Sequence, residues 1–274
     1  MPARAGVLLH VENFGTAHHI VLRGLHVHDA NGSLVRQDRG GCGIGWRNEE
    51  RRMRSRFDGL WIENCHLWRC ERNGITGSSA YWRRTVWYPS LTIRISGNLL
   101  EQIPRDGIVP IGCDGAVIEY TRMRDCTRLL PEGEAGAGIW SWSCDNTGIQ
   151  FNEVSDHKAP WDAQDFDADW NCRNTLMQYN YSHDNEGGFL LVCTNGAVRE
   201  PVNAGDVDAV VRYDVSVNDG FAPGGCTQGF HPSSTPVGRC AARACTTTRS
   251  FLAAEPSFVD HTLLKMDSWG SAWP

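Results

Sequence analysis

The sequence predicts an all-β solenoid, a right-handed parallel β-helix, over residues 1–220. Three observations predict it. A short apolar pattern recurs along the chain, a second ladder falls between its copies, and the period of both wanders. A wandering period is what loops of unequal length produce when they leave a constant coil.

The first ladder begins at Ile20-Val21-Leu22-Arg23 and continues through Leu60-Trp61-Ile62-Glu63 to Ala209-Val210-Val211-Arg212. The apolar third positions are 22, 62, 93, 118, 149, 177 and 211, at intervals of 40, 31, 25, 31, 28 and 34. The second ladder is Gly or Asp followed by Ile or Phe, at Gly43-Ile44, Gly74-Ile75, Gly107-Ile108, Gly138-Ile139, Asp165-Phe166 and Gly188-Phe189. The two alternate without exception, so each coil carries at least two short strands. Side chains alternate faces along a strand, which gives one inward apolar column per strand. An antiparallel sandwich would also have many short strands, but it would not produce two alternating ladders.

Composition narrows the function. At 41% hydrophobic and 21% charged residues, the chain is neither disordered nor membrane-embedded. A net charge of −6 argues against a nucleic-acid partner, whose phosphates need clustered Lys and Arg. The one basic cluster, from Glu49 to Arg56, has acids at its start and reads as a solvated loop. Eleven tryptophans exceed what such a core needs, and exposed indoles suit the apolar faces of sugars. The 11 cysteines lack paired metal spacing. They read as small buried side chains, with a disulfide or two left open. No signal peptide is visible, and the ladder starts without an evident cap, so an N-terminal cap is expected to be missing. Residues 221–274 lose the ladder. They read as an irregular segment, either a native cap or an aberrant sequence.

The chemistry is expected at Trp161-Asp162-Ala163-Gln164-Asp165-Phe166-Asp167-Ala168-Asp169-Trp170. If Phe166 points inward, Asp167 and Asp169 point outward on one face. The preceding coil then presents Trp140 and Trp142 at the same register. Two carboxyl groups beside two indoles make a sugar site, with the carboxyls as acid and base. Asp165 or His183 is expected as support. Asp162, Arg105, Asp106, Lys158 and Asp184 are further candidates to line the substrate. Asp184 also shares a column with Asp29, Asp156 and Asn218, which reads equally as a turn ladder. An alternative gathers Asp165, Asp167 and Asp169 around Ca²⁺. Lys158 or Arg105 would then be the base of an eliminase.

The run from Asp165 to Phe189, with Ile20 to Asp29, resembles the right-handed β-helix proteins of the pectate-lyase-like superfamily. The resemblance covers roughly residues 7 to 220 and implies a carbohydrate-active, extracellular protein. The resulting expectation is a monomeric glycoside hydrolase acting on a polysaccharide or oligosaccharide, without cofactor, nucleic acid or membrane. A calcium-dependent polysaccharide lyase and a non-catalytic glycan-binding module or inactive fragment are the alternatives.

Overall fold

In the computed structural model the described residues are 5–35, 40–50, 52–126, 130–131, 134–159, 161–192, 206–220, 230–232, 248–251 and 258–261. They form a right-handed parallel β-helix with three sheets. The first sheet stacks Ala5–Glu12, Cys42–Glu49, Asn73–Ser79, Ile108–Val109, Ile139–Ser141, Phe166–Ala168, Leu190–Val192 and Phe230–Pro232. The second runs from Thr16–Arg23 through Arg56–Glu63, Arg94–Ser96, Val117–Glu119, Gly148–Gln150 and Leu176–Gln178 to Val210–Arg212. The third runs from His26–His28 through His66–Trp68, Leu99–Glu101, Arg122–Cys126, Glu153–His157 and Tyr181–His183 to Val215–Val217 and Thr248–Phe251. Within the described residues, one strand pair is antiparallel, between Thr248–Phe251 and Phe258–His261. No helix among them is long and apolar enough to cross a membrane.

Both ladders mark real strands, with two register corrections. In the second sheet Ile62 pairs with Ile95, and Ile95 with Ile118, so Ile95 rather than Ile93 holds the inward column. The cause is a bend at Thr92, whose φ of 53° ends the preceding Ser90–Leu91 strand. In the first sheet Phe166 pairs with Leu190, not Phe189. Phe189 is nonetheless buried, with its ring 5.8 Å from that of Phe166. The third sheet, which the two ladders do not announce, follows the second after a single corner.

The apolar core runs up the inside and includes Ile44, Ile75, Ile108 and Ile139 from the first sheet and Ile62, Ile95, Ile118 and Ile149 from the second. In the first coil the inward residues Val7, Leu9, Ile20, Leu22 and Leu25 are only partly buried. The described cysteines form no disulfide, and all but Cys42 are buried. Most of residues 221–274, including the segment read as a possible cap, lies outside the described residues. The strands that are described there extend the first and third sheets.

Where the chain turns from the second sheet to the third, interior side chains replace strand pairing. The Cys65 N–H donates to Asn98 Oδ1, Asn98 N–H to Thr121 Oγ1, Thr121 N–H to Asn152 Oδ1, and Asn152 N–H to Asn180 Oδ1. Each asparagine amide then donates back into the helix, from Asn98 to the Ile62 carbonyl, from Asn152 to Ile118 and from Asn180 to Ile149. The last described side chain of the column is Asp214, whose Oδ1 accepts from Asn180 N–H at 2.7 Å and whose buried Oδ2 has no hydrogen-bond partner among the described residues. Burial pushes this carboxyl up to about 7.

Asparagine at 214 would supply the missing donor, and repetition of the column puts its acceptor at the Met177 carbonyl. Because the folded chain holds the Asp214 proton more tightly than the unfolded chain, stability is lost as pH rises from the ordinary carboxyl range through about 7. Asp214→Asn is expected to stabilise the protein by about 1–2 kcal/mol at pH 8. The gain should shrink toward pH 4. Urea unfolding across that range reads it, and a gain independent of pH would sink the assignment.

Candidate functional site

The outer face of the first sheet carries the site. Thr76 pairs beside Val109, Trp140 beside Asp167, and Asp167 beside Leu191, so these residues form one outward column. Trp140 and Asp167 are therefore brought together as the spacing predicts. Asp167 is only 3% exposed even though it is on the outer face, so loops cover it.

Those loops wall the column on two sides. Beside the strand starts, Leu34, Leu130, Ala159 and Ala163 pack into a small apolar cluster separate from the main core. Arg105 and Asp106 lie on this side. Arg105 donates to Asp106 Oδ2 at 2.8 Å and to the Ala135 carbonyl at 2.9 Å, and the Ala137 N–H donates to Asp106 Oδ1 at 3.3 Å. Burial pushes the Asp106 carboxyl up, while the cations of Arg105 and Arg72 pull it down. The Trp140 indole nitrogen lies beside this carboxyl.

Past the strand ends, the insertion 80–89 folds over the later coils. The Trp82 ring packs on Trp142 with centroids 5.2 Å apart. The sequence reading named Trp142 but missed Trp82. Its signal was the aromatic and basic run Tyr81-Trp82-Arg83-Arg84-Thr85-Val86-Trp87-Tyr88, lodged between two ladder steps.

Asp169 follows the Phe166–Ala168 strand, two residues beyond Asp167. It is half-buried, and its Oδ1 accepts the Trp170 N–H at 2.6 Å. Its charge is felt by Asp206, a buried carboxyl that desolvation pushes up to about 8. Asp162 lies in a two-residue strand beside Ala135–Gly136, and its side chain is outside the described residues.

Three expectations need correction. Asp165 does not share a face with Asp167. By register it occupies the column of Gly43, Gly74, Gly107 and Gly138. At that column a Cβ points into the interior: one built on Gly107 would lie 2.1 Å from Met123 Sδ, and one on Gly138 would lie 2.3 Å from the Asp165 carbonyl oxygen. Aspartate at this position therefore puts its carboxyl inside the helix. There Asp165 Oδ2 meets Ser182 Oγ and accepts from Asn185 Nδ2 at 2.6 Å.

The same Ser182 hydroxyl also bonds Asp219, which accepts in addition from Ser216 Oγ at 2.6 Å and from Asn185 N–H and Nδ2 at 3.1 and 2.9 Å. One hydroxyl hydrogen cannot serve two carboxylates, so one carboxyl carries a proton. Asp219 has donors on both oxygens and suits the ionised form. Asp165 is the neutral acid, pushed well above its ordinary range by burial and then by the charge of Asp219. The neighbouring His157, lowered to about 4 by burial, is neutral and shares Nδ1 with the Ala163 carbonyl at 3.1 Å.

The alternative Ca²⁺ ligand set of Asp165, Asp167 and Asp169 does not converge, because Asp165 faces inward and Asp167 outward. Among the described residues no group of three or more His, Cys, Asp or Glu is arranged to hold a metal. His183 and Asp184 also do not flank the pair. They lie at the outer face and corner of the third sheet, where His183 Nδ1 bonds Asp184 Oδ2 at 2.8 Å and its ring stacks on Tyr181. Asp184 has φ 60° and accepts from Asn218, in one column with Asp29 and Asp156, as a turn ladder requires. Lys158 reaches the same corner, with Nζ 3.6 Å from Asp156.

No family model matches the chain. A lacto-N-biosidase of Bifidobacterium longum subsp. longum is 27% identical over 258 residues, covering 79% of this chain and 16% of that protein. The crystal structure of a GH136 lacto-N-biosidase from Eubacterium ramulus has a TM-score of 0.70 at 27% identity, covering 97% of this chain and 43% of that one. Its selenomethionine derivative gives 0.70 at 25% identity, with 91% and 45% covered. The chain thus spans less than half the length of these relatives.

The neutral state of Asp165 predicts that Asp165→Asn stays within about 1 kcal/mol of the parent at pH 7. Asp165→Ala, which leaves Ser182 and Asn185 short of a partner and opens a void, should cost about 2–4 kcal/mol. Equal losses for both substitutions in urea unfolding would argue for an ionised Asp165.

Proposed function

We propose that this chain is the β-helix portion of a glycoside hydrolase that cleaves a neutral oligosaccharide in the manner of the lacto-N-biosidases. The observation that carries the reading is the walled column on the first sheet, where Trp140 lies in register beside Asp167. The likeness to lacto-N-biosidases at 27% identity supports it. The reading keeps a monomeric, extracellular protein that needs no cofactor.

In this reading Asp167 and Asp169 are the acid and base. Glycoside hydrolysis needs one carboxyl protonated and one ionised. Desolvation favours the neutral form of a carboxyl, and solvent favours the ion. Asp167 on the covered floor therefore suits the proton donor. Asp169, half-buried at the strand end, suits the ionised partner. Trp140 and Trp142 offer apolar ring faces to the pyranose. Asp106, held by Arg105, lines the side of the strand starts.

The test uses the intact chain and a lacto-N-biose-terminated oligosaccharide. A hydrolase releases a new reducing end without an ultraviolet-absorbing unsaturated product, and a chelator leaves its rate unchanged. Asp167→Asn and Asp169→Asn should each lower the rate by at least about 10²-fold. Full activity in both variants would overturn the pair, and an unsaturated product would overturn hydrolysis itself.

A further inference from the structure

We infer that Trp82 and Trp142 together form an aromatic subsite for a neutral pyranose ring, and that Arg84 is the positioning residue that holds this subsite in place. The inference rests on the carbohydrate cleft of the proposed function, but not on its acid–base assignment.

Arg84 is unusual for a residue of a surface insertion. Its side chain is 8% exposed, and that of its partner Asp145 is 18% exposed. The guanidinium forks onto Asp145 with Nη1 to Oδ2 at 2.9 Å and Nη2 to Oδ1 at 2.6 Å. It also donates to Asn171, through Nε to Oδ1 at 3.1 Å and through Nη2 to the carbonyl. The Trp87 ring lies 4.2 Å beneath it. Every edge of the fork is used, which is the geometry for which Arg is irreplaceable by Lys.

The insertion leaves after the Asn73–Ser79 strand, yet Asp145 and Asn171 belong to the coils of Ile139–Ser141 and Phe166–Ala168. Arg84 therefore ties the insertion to two later coils. Asn171 completes the tie, since its Nδ2 donates to the Trp82 carbonyl at 3.2 Å and to Ser143 Oγ at 2.8 Å. The consequence is local: backbone and ring of Trp82 are fixed against Trp142, two residues beyond Trp140.

Burying a cation has a desolvation cost that a merely solvated loop would not need to meet. What the burial secures is the placement of one indole beside another, on the cleft side of the strand ends. Both rings remain half-buried, not sealed. An indole that is already ordered loses little conformational freedom when a sugar stacks on it. The row Trp140, Trp142, Trp82 then leads from the column of Asp167 to the wall, so the subsite takes a sugar unit next to the one cleaved.

Indole fluorescence of the intact chain, titrated with neutral oligosaccharides including lacto-N-biose, tests this. A saturable change is expected in the parent and in Asp167→Asn. Trp82→Ala should weaken binding by roughly tenfold. Arg84→Gln should do the same while thermal unfolding stays cooperative, and Arg84→Lys should fall between. The double variant should be no weaker than Trp82→Ala alone, because Arg84 acts through Trp82. Parent-like binding in Trp82→Ala overturns the inference, and so does the lack of any saturable change in the parent. If Arg84→Gln does not fold, Trp82→Ala and Arg84→Lys decide. A parent that binds without ever hydrolysing sinks the hydrolase reading and leaves this one standing.

Discussion

Each coil turns corners at which strand pairing stops, and every buried amide there still requires an acceptor. A flat stack of strands satisfies itself; a corner does not. In this chain the requirement is met from inside, by side chains of the following coil. At the corner from second to third sheet the acceptors are Asn98, Thr121, Asn152, Asn180 and Asp214. At the corner from third to first sheet, Asn185 accepts from the His157 N–H and Asp219 from the Asn185 N–H. At the remaining corner Cys144 and Cys172 take the part, each sulfur near the backbone N–H of the cysteine one coil earlier. The three sheets can stack apolar columns only because these polar columns hold the corners.

In the last coil whose corners are described, all three columns carry aspartate. Asp206 follows Cys172, Asp214 follows Asn180, and Asp219 follows Asn185, and burial pushes each carboxyl up. A carboxylate accepts a preceding amide as well as an asparagine does, but it cannot donate onward. Carboxyl groups therefore gather inside this coil, directly after the strand that carries Asp167, and burial favours their neutral forms. Asp165 joins the same network because it breaks the glycine column. In the earlier coils a Cβ at that place would collide with the interior or the next coil, and the first non-glycine residue brings its carboxyl into the interior.

The outer face obeys a different logic. The column from Thr76 to Leu191 is ordinary sheet surface, and nothing in its backbone makes it a site. Two sets of loops flank and cover it. One packs its own small apolar cluster around Leu34 and Leu130; the other is riveted by Arg84. This division suits an enzyme reading: the coils supply spacing, and the loops supply cover and aromatic contact.

The sequence by itself determined the coil. Inward apolar residues must recur once per strand, so the columns at Ile44, Ile75, Ile108 and Ile139 and at Ile62, Ile118 and Ile149 were legible without coordinates. Period-two alternation also put Trp140 and Asp167 outward and side by side. Periodicity could not reveal which aspartates of the cluster are interior. Asp165 and Asp167 are two residues apart and would share a face on a straight strand, yet the chain bends at the glycine column before the strand begins. Nor could it reveal the partners of Arg84, since Asp145 and Asn171 lie 61 and 87 residues away and meet it only because coils stack. Local pattern fixes which way a strand faces. Bends and stacked coils fix what stands opposite it, and those contacts exist only in the tertiary structure.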